Sequence, residues 1–210
     1  LLLSLPAVYA FGQNASNSKP NIFIYIADDH NSWDYFTFGN TQVKTTNFDR
    51  LVNEGLSFSN AYTSQAICAP SRSQLYTGLF PMKNGCFANH LPVRNVKDIN
   101  DFMSELGYDV VLAGKGHIKP NSVFNWTRYF PTNSDRLIPI KKVEHYIAGS
   151  QKPLCIIFSS DLPHGPYPKL NDYNNKPLDY DPSSKTISTK IGNHKAGYYQ
   201  NIEEDNDQLG

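Results

Sequence analysis

Asn21-Ile22-Phe23-Ile24-Tyr25-Ile26-Ala27 breaks off into Asp28-Asp29-His30. An unbroken β-branched and aromatic run of that kind has no polar face for water, so it reads as a strand buried on both sides, as in a parallel sheet. The acids stand at its carboxyl end, where ligands bind in open α/β sheets. Two later runs repeat the pattern: Tyr108 to Ala113 opens into Gly114-Lys115-Gly116-His117, and Pro153 to Ser159 opens into Asp161-Leu162-Pro163-His164. Helical segments alternate with them. Thr46 or Asn47 caps a short one that Gly55 stops, Asp98 begins another that ends at Gly107, and a third lies between Ile138 and Ala148. Leu56 to Tyr62 alternates enough to read as a further strand. The fold class is therefore α/β, a mostly parallel sheet flanked by helices with its site along one rim.

The 210 residues suffice for one sizeable α/β domain. Its 19 basic residues balance its 19 acidic ones, so no global field draws the chain to nucleic acid or to anionic membrane. Anion recognition has to be local. Leu1 to Ala10 reads as the end of a secretory signal, with Val8 and Ala10 placed for cleavage, and the sequence begins inside it. That predicts a secreted or periplasmic protein, or a lysosomal one if the source is an animal. Nothing later is long and apolar enough to span a membrane. Three cysteines are too few for a disulfide framework; if Cys68 is consumed by modification, Cys86 and Cys155 remain as a possible pair, but Cys155 sits in an apolar run, which favours two free or buried thiols over a bridge. Pro166 to Gly192, rich in Pro, Asn, Asp, Ser and Tyr, reads as a long surface loop or partial lid.

Cys68-Ala69-Pro70-Ser71-Arg72 precedes Leu75-Tyr76-Thr77-Gly78. Pro70 suits the first position of a helix and Gly78 its stop. Free N–H groups and the positive dipole end would then face Cys68, and Arg72 adds a fixed guanidinium for oxygen anions. A buried structural cysteine before an ordinary helix is the plainer alternative. Asp28 and Asp29 would point to opposite faces within a strand, but beyond its end both can turn to one hard cation such as Ca²⁺ or Mg²⁺; a turn or helix cap is the alternative. His30 reads as a solvent-exposed side chain. Lys115 offers a charge and His117 a hydrogen-bond partner or base, unless their loop is only a solvated turn. His164, between Pro163 and Gly165-Pro166, is held in a stiff loop that suits a positioned acid. Asp205, Asn206 and Asp207 read as a solvated helical face.

The order Asp-Asp, Cys-x-Pro-Ser-Arg, Gly-Lys-x-His, Pro-His resembles the amino-terminal part of the type I sulfatases of the alkaline-phosphatase-like superfamily. The likeness runs from about Pro20 to His164, and Tyr198-Tyr199 with Gln208-Leu209-Gly210 is similar to the family's next helix. Ala61-Tyr62-Thr63-Ser64, Thr77-Gly78-Leu79 and Gly114 to Ile118 look closest to heparan N-sulfatase-like members. The resemblance implies that a maturation enzyme converts Cys68 to formylglycine, whose hydrate presents a geminal diol. One hydroxyl attacks the sulfur of a sulfated glycan, a small sulfate ester or a sulfamate, and the other then expels sulfate. It further implies a divalent cation, usually calcium, held by Asp28 and Asp29 and binding the nucleophile at position 68. Arg72 and Lys115 would stabilise charge, His117 would assist proton loss from the diol, and His164 would contact or protonate the leaving group.

The resemblance implies a longer protein whose cation site is completed by a second pair, an acid with an amide or a histidine, after a later strand. The resemblance therefore reads residues 1–10 as a signal remnant and 20–210 as the amino-terminal part of a truncated catalytic domain. Such a piece is expected to be inactive or nearly so and to bind calcium weakly. Two alternatives stand beside a sulfuric ester hydrolase: a formylglycine-dependent phosphonate monoester or phosphodiester hydrolase, and an inactive or carbohydrate-binding relative.

Overall fold

Strand β1 (Ile22–Asp28) forms where the apolar run demands it, and it lies at the edge of a four-stranded sheet with β2 (Asp109–Gly114), β3 (Arg128–Pro131) and β4 (Leu154–Pro163) in the order β1-β4-β2-β3. Every neighbouring pair is parallel, so the α/β expectation holds. The computed structural model describes residues 19–168 and 189–210, without the side chains of 189–193. The predicted signal remnant, and the part of the predicted loop from 169 to 188, lie outside them.

Alternate residues of each strand serve opposite faces. Ile24, Ile26, Leu112 and Ile157 pack with Ala69 and Tyr76 of α2 (Cys68–Thr77), while Tyr25, Val111, Ala113 and Ile156 pack with Val143 of α5 (Ile140–Gly149). Val110, Val111, Ile156 and Ile157 are completely buried, each contributing about 1.5–3 kcal/mol by leaving water. Helix α4 (Ile99–Glu105) begins as the sequence predicts, with Asp98 and Asp101 forming a reciprocal capping box. Gly114, in left-handed backbone at φ 107, ends β2 against β4; a side chain there would meet the Ser159 carbonyl at 2.0 Å. Lys115 follows directly, and its side chain reaches Asp28 of β1. Cys86 and Cys155 are buried and unbridged, as expected. Among the described residues no helix is long and apolar enough to cross a membrane.

Leu56 to Tyr62 is not a strand. Leu56, Phe58 and Tyr62 are exposed and no strand among the described residues pairs with them. Alternation selects a face only where a neighbouring strand supplies hydrogen bonds. The cap of α1 (Thr46–Glu54) falls one residue early, at Thr45, and Gly55 follows in extended backbone.

Helix α6 (Thr189–Leu209) overturns the solvated-face reading of residues 205–207 for two of the three. Asn206 is buried and its Oδ1 accepts the amides of Asn47 and Phe48 at 3.0 and 3.1 Å, capping α1 from outside. Asp205, also buried, accepts a 2.6 Å bond from the Tyr25 hydroxyl on β1. Burial, helped by the charge of Asp28, pushes its carboxyl up to about 6 against bonds from Ser160 and Tyr25 that pull it down. Since the folded value exceeds the unfolded one, Asp205 contributes most below about pH 4 and loses that contribution as pH rises through 6. Asp205→Asn keeps an acceptor for Tyr25 without the charge. It is expected to stabilise the protein by about 3 kcal/mol at pH 7.5 and by almost nothing at pH 4, read from denaturant midpoints at the two pH values. Equal effects at both would show that ionisation is not what Asp205 costs.

Candidate active site

The parallel strands end at one rim, and the polar residues that follow them collect there. Asp28, the last residue of β1, is 4% exposed. Two cations from different elements grip it: Arg72 Nη2 on α2 lies 3.3 Å from Oδ1, and Lys115 Nζ, just past β2, lies 2.5 Å from Oδ2. Burial alone would raise the Asp28 carboxyl, but Arg72 and Lys115 outweigh it and hold it below the usual carboxylate range. Asp29 turns the chain through left-handed backbone at φ 61. Its carboxylate stays 58% exposed, 3.7 Å from His164 Nε2.

Cys68 is itself the first residue of α2, so Pro70 takes the third helical position rather than the first. Gly78 ends the helix in left-handed backbone, as predicted. The expected row of free N–H groups is mostly spent. Ala69 N–H donates to Asn89 Oδ1 at 3.1 Å, Ser71 N–H to the Ile67 carbonyl at 2.9 Å, and Pro70 has none. Anion handling therefore falls to side chains. Arg72, one turn after Cys68, is 2% exposed and donates to Ser159 Oγ and to the Ser160 carbonyl besides Asp28. It lies fixed within the floor of the site, on the face of the helix that carries Cys68.

The Cys68 thiol, the Asp28 carboxylate and the His164 imidazole present atoms all within 4.8 Å of one another. Asp29 is not in that trio. Burial first, then the charges of Asp28 and Asp29, push the thiol up, against Lys115 and Arg72. A cysteine that works as a thiolate needs the opposite shift. Lys115 also reaches Asp161 Oδ1 at 2.7 Å, and these two carboxylate bonds outweigh the burial that would discharge it. His117, in left-handed backbone at φ 44, keeps a buried Nδ1 without a partner, its ring 5.8 Å from that of His90. Burial, then Lys115 and Arg72, lower its pKa and leave it neutral at neutral pH.

A cleft of 240 Å³ is walled by Asp28, Asp29, Cys68 and Arg72. Lys115 and His164 meet those carboxylates from outside its walls. His30 is not the solvent-exposed residue expected: its ring stacks on Tyr35 at 3.8 Å and both nitrogens are buried without partners. Burial lowers it to about 4. Sequence reasoning assigned no role to Ser159, Asp161 or Asn89. Asp161 had a signal, since it directly follows a buried run; a serine and an asparagine in ordinary surroundings had none.

The carboxylates suit a hard cation in part. Asp28 and Asp29 offer four oxygens, whereas Ca²⁺ takes about six to eight. Both Asp28 oxygens already accept from Arg72 or Lys115, each keeping a further lone pair. The thiol and imidazole beside Asp28 are softer donors than that cation prefers.

Residues 20–137, more than half of the chain, match the family model described as Sulfatase. A Formosa agariphila protein named ulvan-active sulfatase is 45% identical over 207 residues, covering 93% of this chain and 41% of that protein. The crystal structure of Bacteroides fragilis YidJ, provisionally described as a sulfatase, is similar with TM-score 0.73 at 19% identity, over 94% of this chain and 59% of that one. The phosphonate monoester hydrolase of Agrobacterium radiobacter is similar with TM-score 0.68 at 17% identity, over 91% and 58%. At these identities the two structures bear on fold alone. The chain spans less than half the length of the Formosa relative.

Proposed function

Because the chain belongs to the sulfatase family, we propose that its protein hydrolyses sulfate esters of a sulfated carbohydrate. The observation that carries this reading is the meeting of Cys68, Asp28 and His164 over a floor made cationic by Arg72 and Lys115. The raised thiol speaks against direct thiolate attack and for Cys68 as a precursor, converted by a maturation enzyme to formylglycine, which supplies an oxygen nucleophile. That exchange of sulfur for oxygen also brings the donor set nearer to a hard cation. Asp28 and Asp29 would hold the cation, calcium by preference, which when bound supplies positive charge for the sulfate oxygens.

The chain's own residues then divide the remaining work. Lys115 and Arg72 stay charged and fix Asp28 in place, so the site needs little rearrangement as charge develops on the sulfuryl oxygens. Neutral His117, with a free buried Nδ1, takes a proton. His164, beside Cys68 and Asp28, would contact or protonate the oxygen of the departing sugar. The cleft is smaller than the ~300–1,000 Å³ of sites that enclose a drug-sized ligand, so it admits the sulfate end of a larger molecule. The Formosa relative is named for activity on ulvan, which favours a sulfated polysaccharide as the source. The signal-like start of the sequence favours a secreted or periplasmic location.

The open reading frame that encodes this chain, expressed with a formylglycine-generating enzyme, tests the proposal. Sulfate release is expected from sulfated oligosaccharides and from aryl sulfate, with kcat/KM for aryl sulfate exceeding that for the matched aryl phosphonate at least about tenfold. Chelation should remove most of the activity and calcium restore it. A preference for the phosphonate would replace this reading with the phosphonate monoester hydrolase one.

A further inference from the structure

Arg136 lies between β3 and α5, belongs to no motif, and stands in left-handed backbone at φ 71. Its guanidinium donates Nε to Asp161 Oδ2 at 2.8 Å, Nη2 to the Asp161 carbonyl at 2.6 Å and to the His164 carbonyl at 2.7 Å, and Nη1 to the Pro166 carbonyl at 3.2 Å. From α6, Asn201 Nδ2 adds bonds to the Pro163 and His164 carbonyls at 3.4 and 3.3 Å. One side chain thus satisfies three backbone carbonyls, one at the end of β4 and two on the turn that carries His164, groups that would otherwise need water or another donor. The same guanidinium holds the carboxylate whose second oxygen grips Lys115.

We propose that Arg136 is a positioning residue of the reaction, fixing the His164 imidazole relative to Asp28 and Cys68 and anchoring Lys115 through Asp161. It forms none of the cleft's walls, so its effect passes through those two side chains. The chemistry of the fork explains why arginine stands there. Five donors in one rigid plane reach a carboxylate edge and several carbonyls at once, which the three donors of a lysine, radiating from one atom, do not. The inference rests on the sulfatase reading, in which His164 meets the leaving oxygen. Proton delivery to that oxygen matters most when it departs as a basic alkoxide and least when it departs as an acidic phenol. Loss of a merely structural contact has no reason to distinguish the two.

The test compares Arg136→Met, Arg136→Lys, His164→Ala and the Arg136→Met/His164→Ala double variant in the full-length, matured protein, with kcat and KM measured on a sugar sulfate and on nitrophenyl sulfate. Arg136→Met is expected to lower kcat on the sugar sulfate about tenfold to a hundredfold and on the nitrophenyl ester about threefold or less, with KM nearly unchanged on both. The double variant should be little worse than His164→Ala alone, because the two changes remove one function. Equal losses on both esters, or fully additive losses in the double variant, overturn the role of Arg136 while leaving the enzyme a sulfatase. Absence of turnover by the unaltered protein sinks the sulfatase reading, and this inference with it. Should Arg136→Met not fold, Arg136→Lys carries the same comparison of esters, because it keeps the charge but cannot span the carbonyls.

Discussion

Cys68→Ala is expected to abolish sulfate release, by about 10⁴-fold or more, while shifting the denaturant midpoint very little. Nothing in the packing calls for a large structural effect: the side chain is only partly buried at the first turn of α2, and the helix needs neither its sulfur nor its volume. The chemical effect is total because the proposed route runs through this one atom. Cys68→Ser separates the two halves of that route. A serine hydroxyl has one oxygen to offer, so attack on sulfur would leave a sulfated serine with no second hydroxyl to expel the sulfate, and turnover would stop there. The matured wild-type protein should show a mass lower by about 18 Da on the peptide containing position 68, the difference between a thiol and an aldehyde. Full turnover by protein that retains the thiol would refute the mechanism, and the raised thiol pKa makes that outcome the less favoured chemistry.

The strands that position this site were legible for a simple reason. β2 and β4 are buried on both faces and β1, at the edge with Phe23 exposed, is half-buried, yet each is an apolar run that stops abruptly, and the stops fall at Asp28, Lys115 and Asp161. Strand β3 was missed because Arg-Tyr-Phe-Pro is too short to show a period, and only β2 beside it makes a strand of it. Leu56 to Tyr62 erred in the other direction, with a pattern and no partner. The acids of α6 looked solvated because sequence composition is blind to a tyrosine hydroxyl arriving from residue 25 or two amides arriving from residues 47 and 48. At the site, Asp28, Cys68, Lys115, His117 and His164 each had a local signal, a strand end, a helix start or a stiff turn. Arg136 had none, since most of its bonds go to backbone carbonyls some thirty positions away, and carbonyls carry no sequence identity.

Arg72 shows how closely fold and chemistry are joined at this floor. It is 2% exposed, and its partner Asp28 is 4% exposed, so neither charge has water to fall back on. Arg72→Met would leave Asp28 with Lys115 alone and withdraw donors from Ser159 and the Ser160 carbonyl in one step. Breaking a buried pair of this kind costs about 3–5 kcal/mol, and that loss is the expected stability change. Arg72→Lys keeps the charge, yet a single ammonium cannot reach Asp28, Ser159 and Ser160 together, so it should recover less than half of the loss. Activity should fall further than stability explains. Without the guanidinium the Asp28 carboxyl loses a major influence holding it below the usual range, and it protonates at a higher pH than in the wild type. The acidic limb of the kcat/KM profile should therefore move to higher pH in Arg72→Met, and less far in Arg72→Lys, which keeps the charge, each measured on whatever fraction of the protein remains folded. If Arg72→Met costs less than about 1 kcal/mol, water must reach the Asp28 pocket and take over the lost bonds. An unmoved pH limb in Arg72→Met would show instead that Lys115 alone sets the charge of Asp28.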